Sequence, residues 1–388
     1  MLKKGEVFMQ IIPIASGKGG VGKSLIAANL AIALGQAGKK VVLADLDLGA
    51  SNLHLVLGIQ GRKNGIGSFL IKAAEFKDII VDTDYENLRF VPGDSEIPGF
   101  AALKIYQRNS LVKELLKLEA DFLILDLGAG THLGILDFFL LSPKGIVVTS
   151  PTVTSTLDAY VFLKNIVFRM MSSSFPAKSK GSAFFEKLKN DVPSMQRLYI
   201  PSIAEELMSI DPENTKKFLN KFSHLKPRII MNMIDDPKDA EKAMKIRRSA
   251  KQYLNIDIEH LGVIYTDSVQ DKALASRLPV VKYKPQSMIS QAIYRIADKL
   301  IQSDAENYND EDFKELSDSS FISAEAEAEI DFKSKMEYLD ELIGGEVLSS
   351  GEMTEIIKSQ QFEISVLRNE NLLLKTKIAK ALKQGFKV

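Results

Sequence analysis

Gly17-Lys18-Gly19-Gly20-Val21-Gly22-Lys23-Ser24 follows directly on the apolar run at residues 10–15 and opens the helical pattern at residues 22–37. The stretch satisfies G-x-x-x-x-G-K-S in the context that gives this spacing its meaning: a strand, a tight glycine turn, then a helix. Glycines let successive backbone N–H groups converge on phosphate oxygens, and the helix start turns its positive dipole end toward the same anion. Lys23 is then placed to reach the β- and γ-phosphates, and the Ser24 hydroxyl to sit on Mg2+. The cofactor-binding candidates are therefore Gly19, Gly20, Val21, Gly22, Lys23 and Ser24, with ATP and Mg2+ as the implied ligands. A chance glycine-rich turn would match the letters but not the flanking strand and helix.

Outward from this loop, short apolar runs at residues 40–44, 88–91, 122–125, 145–149, 228–231 and 261–265 alternate with helical patterns. Those patterns fall at residues 101–118, 155–171, 239–253 and 287–301. Runs apolar throughout, separated by helices, indicate an α/β fold: a mostly parallel sheet with helices on both faces, as in P-loop NTPases. Such sheets bind ligands at the carboxyl ends of their strands. Two strands end in carboxylates. Val41-Val42-Leu43-Ala44-Asp45-Leu46-Asp47 is one, and Phe122-Leu123-Ile124-Leu125-Asp126, continuing into Leu127-Gly128-Ala129-Gly130, is the other. A carboxylate there can hold Mg2+ through water, and Asp126 is the better candidate; Asp47 suits the orientation of an attacking water. Strand-end aspartates also serve as plain helix caps, so each takes its meaning from the loop beside it.

The 388 residues are 45% apolar and 26% charged, enough for a sizeable core. Lys+Arg and Asp+Glu balance at 50 each, so nucleic-acid or membrane binding would need a local patch. The chain has no cysteine, which excludes disulfides, thiolate metal centres and iron–sulfur clusters and fits a reducing, cytoplasmic compartment. His54, His132, His224 and His260 share no ligand spacing. The apolar run before the loop is too short for a signal peptide or a membrane span.

The pattern divides the chain into a P-loop ATPase domain (1–302), an acidic linker (303–346) and a C-terminal helix or coiled coil (347–388). Residues 172–226 place a helical insertion where a short link would do. Ser172-Ser173-Ser174, Pro176, Pro193 and Pro201 mark loops there, around helices expected at residues 183–190 and 214–222. The linker is dominated by Asp and Glu without a sustained apolar period, so a flexible segment with short helices is expected. The last segment carries a heptad-like seam of Met353, Ile357, Ile364, Leu367, Leu374, Ile378 and Ala381, with Gln360 and Asn371 on the same line. Its end is basic, with Lys375, Lys377, Lys380, Lys383 and Lys387. Three readings stay open: a coiled coil with itself or a partner, a helix on an anionic membrane surface, or docking on the same chain.

Lys18-Gly19-Gly20-Val21-Gly22-Lys23-Ser24 resembles the deviant Walker A box of the MinD/ParA superfamily, with Lys18 as its extra signature lysine. Asp45-Leu46-Asp47-Leu48-Gly49-Ala50-Ser51-Asn52-Leu53 resembles that family's switch I, and residues 126–130 its switch II. Pro151-Thr152, Asp158-Ala159-Tyr160, Asn232, the run Gly262-Val263-Ile264-Tyr265-Thr266-Asp267 and Leu278-Pro279-Val280 resemble later landmarks. The resemblance covers about residues 9–302 apart from the insertion. Asp158-Ala159-Tyr160, Met231-Asn232-Met233 and Pro285-Gln286-Ser287 look closest to the FlhG (YlxH) branch, whose members regulate flagellar number and placement, next to the division-site positioner MinD.

The resemblance implies an ATP-dependent homodimer in which Lys18 of one subunit contacts the phosphates held by the other. The catalytic set it implies is Lys18, Lys23 and Asp47, with Ser24 and Asp126 at the metal. Gly130 would offer its N–H near the γ-phosphate, and Asn232 would bond the adenine edge. Slow hydrolysis stimulated by a protein partner would drive a switch that positions or regulates a cellular assembly. Such a protein would be cytoplasmic; a membrane-targeting helix for peripheral contact at the inner face of the membrane, if present, would lie in the tail, which suits a coiled coil about as well. Departures are Ser51, where the MinD-like switch often has arginine, the insertion, the tail, and an N-terminal arm without the glutamine-containing activator motif of FlhG proteins. The alternative is a ParA-type DNA-partitioning ATPase. Lys242, Lys245, Arg247, Arg248 and Lys251 crowd one helix and could supply its basic patch, although a solvated helix face is the simpler reading. Iron–sulfur carriers on this fold need cysteines, and tyrosine-kinase relatives carry a tyrosine-rich tail where this chain has Tyr308 and Tyr338.

Overall fold

Strand β1 (Gln10–Ser16) buries Ile12, Ile14 and Ala15 on both its faces, as a strand with helices above and below must. In a computed structural model describing residues 9–48, 51–59, 64–93, 103–190, 199–304 and 310–344, it lies inside an eight-stranded sheet. The others are β2 (Val41–Leu46), β3 (Val81–Asp82), β4 (Leu88–Val91), β5 (Phe122–Ala129), β6 (Ile146–Thr149), β7 (Arg228–Ile234) and β8 (Glu259–Tyr265). Their order is β3-β4-β2-β5-β1-β6-β7-β8. Every pairing is parallel except the short β3 on β4. The chain builds toward β2 on one side of β1 and toward β8 on the other, and the crevice opened by that reversal receives the glycine loop. β3, just two residues long, is too short to leave a periodic trace in the sequence.

Helix α1 (Lys23–Gln36) is buried along nearly its whole length, because Ile26, Leu30, Ile32 and Leu34 meet the sheet and its neighbours all round. Buried Asn29 accepts from the Val281 N–H at 3.1 Å and donates to Leu25 O at 2.8 Å, so its amide is satisfied on both sides. Beyond α1 come α2 (Ile105–Leu115), α3 (Leu133–Phe139) and α4 (Val153–Ser173), then the insertion. The insertion is helical, with α5 (Lys180–Asn190), α6 (Ile200–Ile210) and α7 (Pro212–Ser223). Its Phe185 meets Phe175 at a tilt and Phe168 of α4 edge to face, with ring centroids 5.3 and 5.6 Å apart. Pro201, read as a loop marker, sits instead in the first turn of α6, where its missing N–H costs no hydrogen bond. The fold then continues through α8 (Lys242–Ser249) and α9 (Met288–Asp304), the latter packed against α1.

The acidic segment departs from expectation. Residues 310–344 form one unbroken helix, α10 (Asp310–Gly344), rather than a linker with short helices. Its buried positions up to Ile330, Phe313, Ser317, Phe321, Ala324 and Ala328, repeat at helical spacing. Three of the five are serine or alanine, so among so many carboxylates they leave little apolar signal. They cover β8, the outer edge of the sheet. Ser317 Oγ donates to Ile258 O (2.6 Å), the His260 N–H donates to Ser320 Oγ (2.9 Å), and Tyr265 Oη donates to Ala328 O (2.8 Å). The two serine hydroxyls thus answer backbone groups along this edge that a further strand would otherwise pair. The His260 ring meets the Phe321 ring at 5.1 Å, and burial aided by nearby Lys299 drives its pKa down to about 3, so the imidazole stays neutral.

Compact packing divides the chain into units Met1–Ile330 and Asp331–Val388, a boundary inside α10 rather than at residue 302 or 346. The seam at residues 353–381 and the basic end lie outside the described residues. Among the described residues no helix is long and apolar enough to cross a membrane.

If α10 is part of the core, Phe321→Ala lowers stability by roughly 3–5 kcal/mol in urea unfolding, as for other buried rings. The neighbouring Ile322, 70% exposed, gives a change within about 0.5 kcal/mol when cut to alanine. Equal effects at the two positions would contradict the packing described.

Candidate functional site

The glycine loop is shaped by what presses on it. At its start, a Cβ on Gly17 would stand 2.2 Å from the carbonyl oxygen of Asp158, because the backbone of α4 packs directly on the loop. At its end, Gly22 has φ +83, and a Cβ there would lie 2.3 Å from Asn232 Nδ2 at the tip of β7. Asn232 Nδ2 donates to Val21 O at 2.9 Å, and Ser16 Oγ donates to Lys18 O at 2.8 Å. The loop is therefore gripped by β1, α4 and β7, with α1 starting where it ends.

Inside the loop, Lys23 Nζ lies 2.6 Å from Asp126 Oδ1 and 3.3 Å from Ser24 Oγ. The two charged side chains are 7% and 1% exposed. Burial pushes the Asp126 carboxyl upward, opposed by the Lys23 ammonium and the Ser24 hydroxyl. The parallel register of β2 on β5 sets Asp45 opposite Asp126. Asp45 is raised to about 7, first by burial and then by the Asp126 charge, against hydrogen bonds from Ser51 and the Asp47 and Leu53 N–H groups. Asp47 lies further along, its Oδ1 3.2 Å from where a Cβ of Gly128 would be.

These groups offer hard oxygen donors, which suit Mg2+ rather than a softer metal. Among the described residues no group of three or more His, Asp or Glu is arranged to hold a metal unaided. Ser24 and Asp126 would thus contribute two protein contacts, with water and phosphate oxygens supplying the rest. The glycine cradle, the helix start and Lys23 likewise fit a polyphosphate.

The residues read from the sequence gather at this crevice, with differences in detail. Lys18 is exposed, its Nζ 3.5 Å from Thr154 Oγ1 at the start of α4, whereas Lys23 is buried. The Gly130 N–H, expected near a γ-phosphate, is donated to Ser16 O at 3.0 Å. Asn232, expected at an adenine edge, holds the loop through its amide nitrogen. Two participants escaped the sequence reading. Asp45 was visible as a second carboxylate on its strand, but its closeness to Asp126 depends on sheet register. Ser51, noted as a departure, is buried and donates to Asp45 Oδ2 at 2.6 Å. On the basic helix, Lys242 pairs with Asp239 (2.6 Å), Lys251 with Asp257 (2.8 Å), and Arg247 with Asp318 while lying over the Phe321 ring.

Residues 12–280 match the family model described as the CobQ/CobB/MinD/ParA nucleotide binding domain. The flagellum site-determining protein YlxH of Helicobacter pylori is 28% identical over 228 residues, 55% of this chain and 76% of that protein. The antiactivator FleN of Pseudomonas aeruginosa is 23% identical over 295 residues, 75% of this chain and 86% of that protein. Among solved structures, the septum site-determining protein MinD with Mg-ADP from Pyrococcus horikoshii superposes with TM-score 0.52 at 25% identity. That likeness spans 77% of this chain and all of the other.

The Asp45 environment makes a pH prediction. Its carboxyl sits near 7 when folded, against an ordinary 3.8, so the folded chain holds a proton that the unfolded chain has released. Its stabilising contribution is complete below about pH 4 and is lost as pH rises through 7. Asp45→Asn removes this dependence, so the variant gains on wild type between pH 4 and pH 8, by up to ~4 kcal/mol in urea unfolding without nucleotide. A constant separation between the two curves would refute it.

Proposed function

The chain belongs to the CobQ/CobB/MinD/ParA nucleotide-binding domain family, and on that premise we propose that it binds and hydrolyses ATP as a molecular switch. Two ATP-bound copies face each other, and the dimer positions or regulates a cellular assembly. The observation that carries this reading is the contrast between two lysines of one loop. Lys23 is buried against Asp126, while Lys18 is exposed beside Thr154. A lysine held inward serves the phosphates of its own subunit, and one turned outward can serve those of a facing copy. Val153 and Leu157, flanking Thr154 on α4, are 82% and 59% exposed, an apolar surface of the kind that marks a protein contact.

Mg2+, when bound, neutralises charge on the β- and γ-phosphates. Ser24 and Asp126 would hold it, and Lys23 would exchange its carboxylate partner for phosphate oxygens. Asp47 accepts a hydrogen bond from the attacking water and keeps it in line. As the water oxygen bonds the γ-phosphorus, the bond to the β–γ bridging oxygen breaks and ADP leaves with that electron pair. Asn232, its amide nitrogen held by Val21 O, would serve the adenine edge through its amide oxygen. Gly130 can serve the γ-phosphate once its N–H lets go of Ser16 O. A contact available in one nucleotide state and absent in the other is what biases a two-state element.

The assembly served is, in this reading, flagellar. A protein named for flagellum site determination and one named as an antiactivator align over 55% and 75% of this chain. Septum placement comes next, through MinD of Synechocystis at 36% identity over 39% of this chain. Turnover is slow and raised by a protein partner. The protein is cytoplasmic, with any membrane contact made through residues 347–388. DNA partitioning is the weaker reading, because Lys242, Arg247 and Lys251 of the basic stretch are already tied to acids.

Light-scattering mass with Mg-ATP and with Mg-ADP tests the switch. A dimer should form with ATP alone, persist in Asp47→Ala and vanish in Lys18→Ala. Phosphate release by Asp47→Ala should fall at least ~100-fold. A mass indifferent to nucleotide would sink the facing-dimer mechanism.

A further inference from the structure

Strand β7 carries one residue too many at its carboxyl end. Its register with β8 sets Asn232 against Ile264 and Ile234 against Tyr265, leaving Met233 without a counterpart. Such a bulge bends its strand and re-aims a side chain, and bulges gather beside functional sites. Met233 adopts φ +59, a left-handed conformation that a bulky residue holds only where its surroundings impose it. The outcome is a methionine 41% exposed on a strand whose other residues are all buried. Packing gives no account of this choice, because an exposed side chain buries little and glycine would relieve the backbone.

Position supplies the account. Met233 Cε lies 3.7 Å from where a Cβ of Gly22 would stand, at the rim of the phosphate loop. The opposite flank is closed, since the α4 backbone occupies the space beside Gly17. A nucleotide whose phosphates enter the loop at the start of α1 therefore carries its remaining atoms out past Gly22, Asn232 and Met233. Methionine is flexible and polarizable, and its sulfur packs well against aromatic faces.

We propose that Met233 is a specificity residue of the nucleotide site, its thioether and terminal methyl forming the apolar platform on which the base lies. This rests on the nucleotide reading above and adds to Asn232 a second residue that recognises the base and not the phosphates. The bulge is the device that turns the side chain outward, and the strained backbone is its structural signature.

Calorimetric titration of the full chain with Mg-ATP and with magnesium tripolyphosphate, which has phosphates but no base, separates the two contributions. Met233→Gly should weaken ATP about fivefold to tenfold while tripolyphosphate stays within about twofold. The unfolding temperature of the ligand-free Met233→Gly chain should hold or rise as the strain is released. Met233→Leu, which keeps the bulk, should bind ATP within about threefold of wild type. Wild-type affinity for ATP in Met233→Gly would overturn the proposal, as would parallel weakening of both ligands with a lowered unfolding temperature. Binding of tripolyphosphate but not ATP by wild type would also overturn it. A wild-type chain that bound neither would bring down the nucleotide reading and this inference with it.

Discussion

The ammonium of Lys23 and the carboxylate of Asp126 meet at 2.6 Å in a place almost wholly withdrawn from water. Burying two charges is expensive, and their attraction offsets the lost hydration only when geometry and further hydrogen bonds are good. Here Ser24 supplies one such bond, and α1 begins at Lys23 itself. The arrangement demands that β1 and β5 be neighbours in register, that the loop between β1 and α1 be made of residues small enough to turn sharply, and that helices close both faces of the sheet. A hydrophobic pair would be cheaper at this point for a protein that needed nothing but stability. On the proposed reading, the ion pair is a phosphate ligand kept ready, its positive charge held in place by a partner it can leave.

Other features follow from holding that loop steady. Asn232 reaches across from β7 to Val21, and α4 presses its backbone on Gly17, so three separate elements fix one short turn. Ser51 ties the segment after β2 to Asp45, the second buried carboxyl, which the β2–β5 register sets beside Asp126. At the far side of the sheet, α10 finishes β8 with serine hydroxyls and the Phe321 ring. An acidic helix in this role keeps the edge from pairing with another chain, and two of its carboxylates, Asp318 and Glu327, pair with Arg247 and Lys299.

Much of this could be read from the letters, for a physical reason. A parallel strand buried on both faces must be apolar throughout, so β1, β2, β5, β6, β7 and β8 announce themselves, and the glycine loop is local in sequence. What stayed hidden depends on distance between segments or on weak local signals. β3 is two residues long; α6 begins with a proline in its first turn; α10 buries small residues among acids. The pairing of Asp45 with Asp126 exists only once β2 and β5 are aligned, and no spacing within either strand could show it. The bond from Gly130 to Ser16 depends on a backbone conformation, φ +96 at Gly130, that the sequence permits without requiring. Met233 lies beyond the apolar run at residues 228–231, and its bulge exists only in the register of β7 with β8.

The claim on which everything else leans is that Lys23 is a phosphate ligand held in reserve by Asp126. Calorimetric titration of the Lys23→Met chain with Mg-ATP tests it most directly. Losing charge-assisted hydrogen bonds to phosphate should weaken binding about tenfold to 100-fold or more. The fold should survive, because Asp126 can take up a proton where it stands. Wild-type affinity for Mg-ATP in a folded Lys23→Met chain would contradict the account.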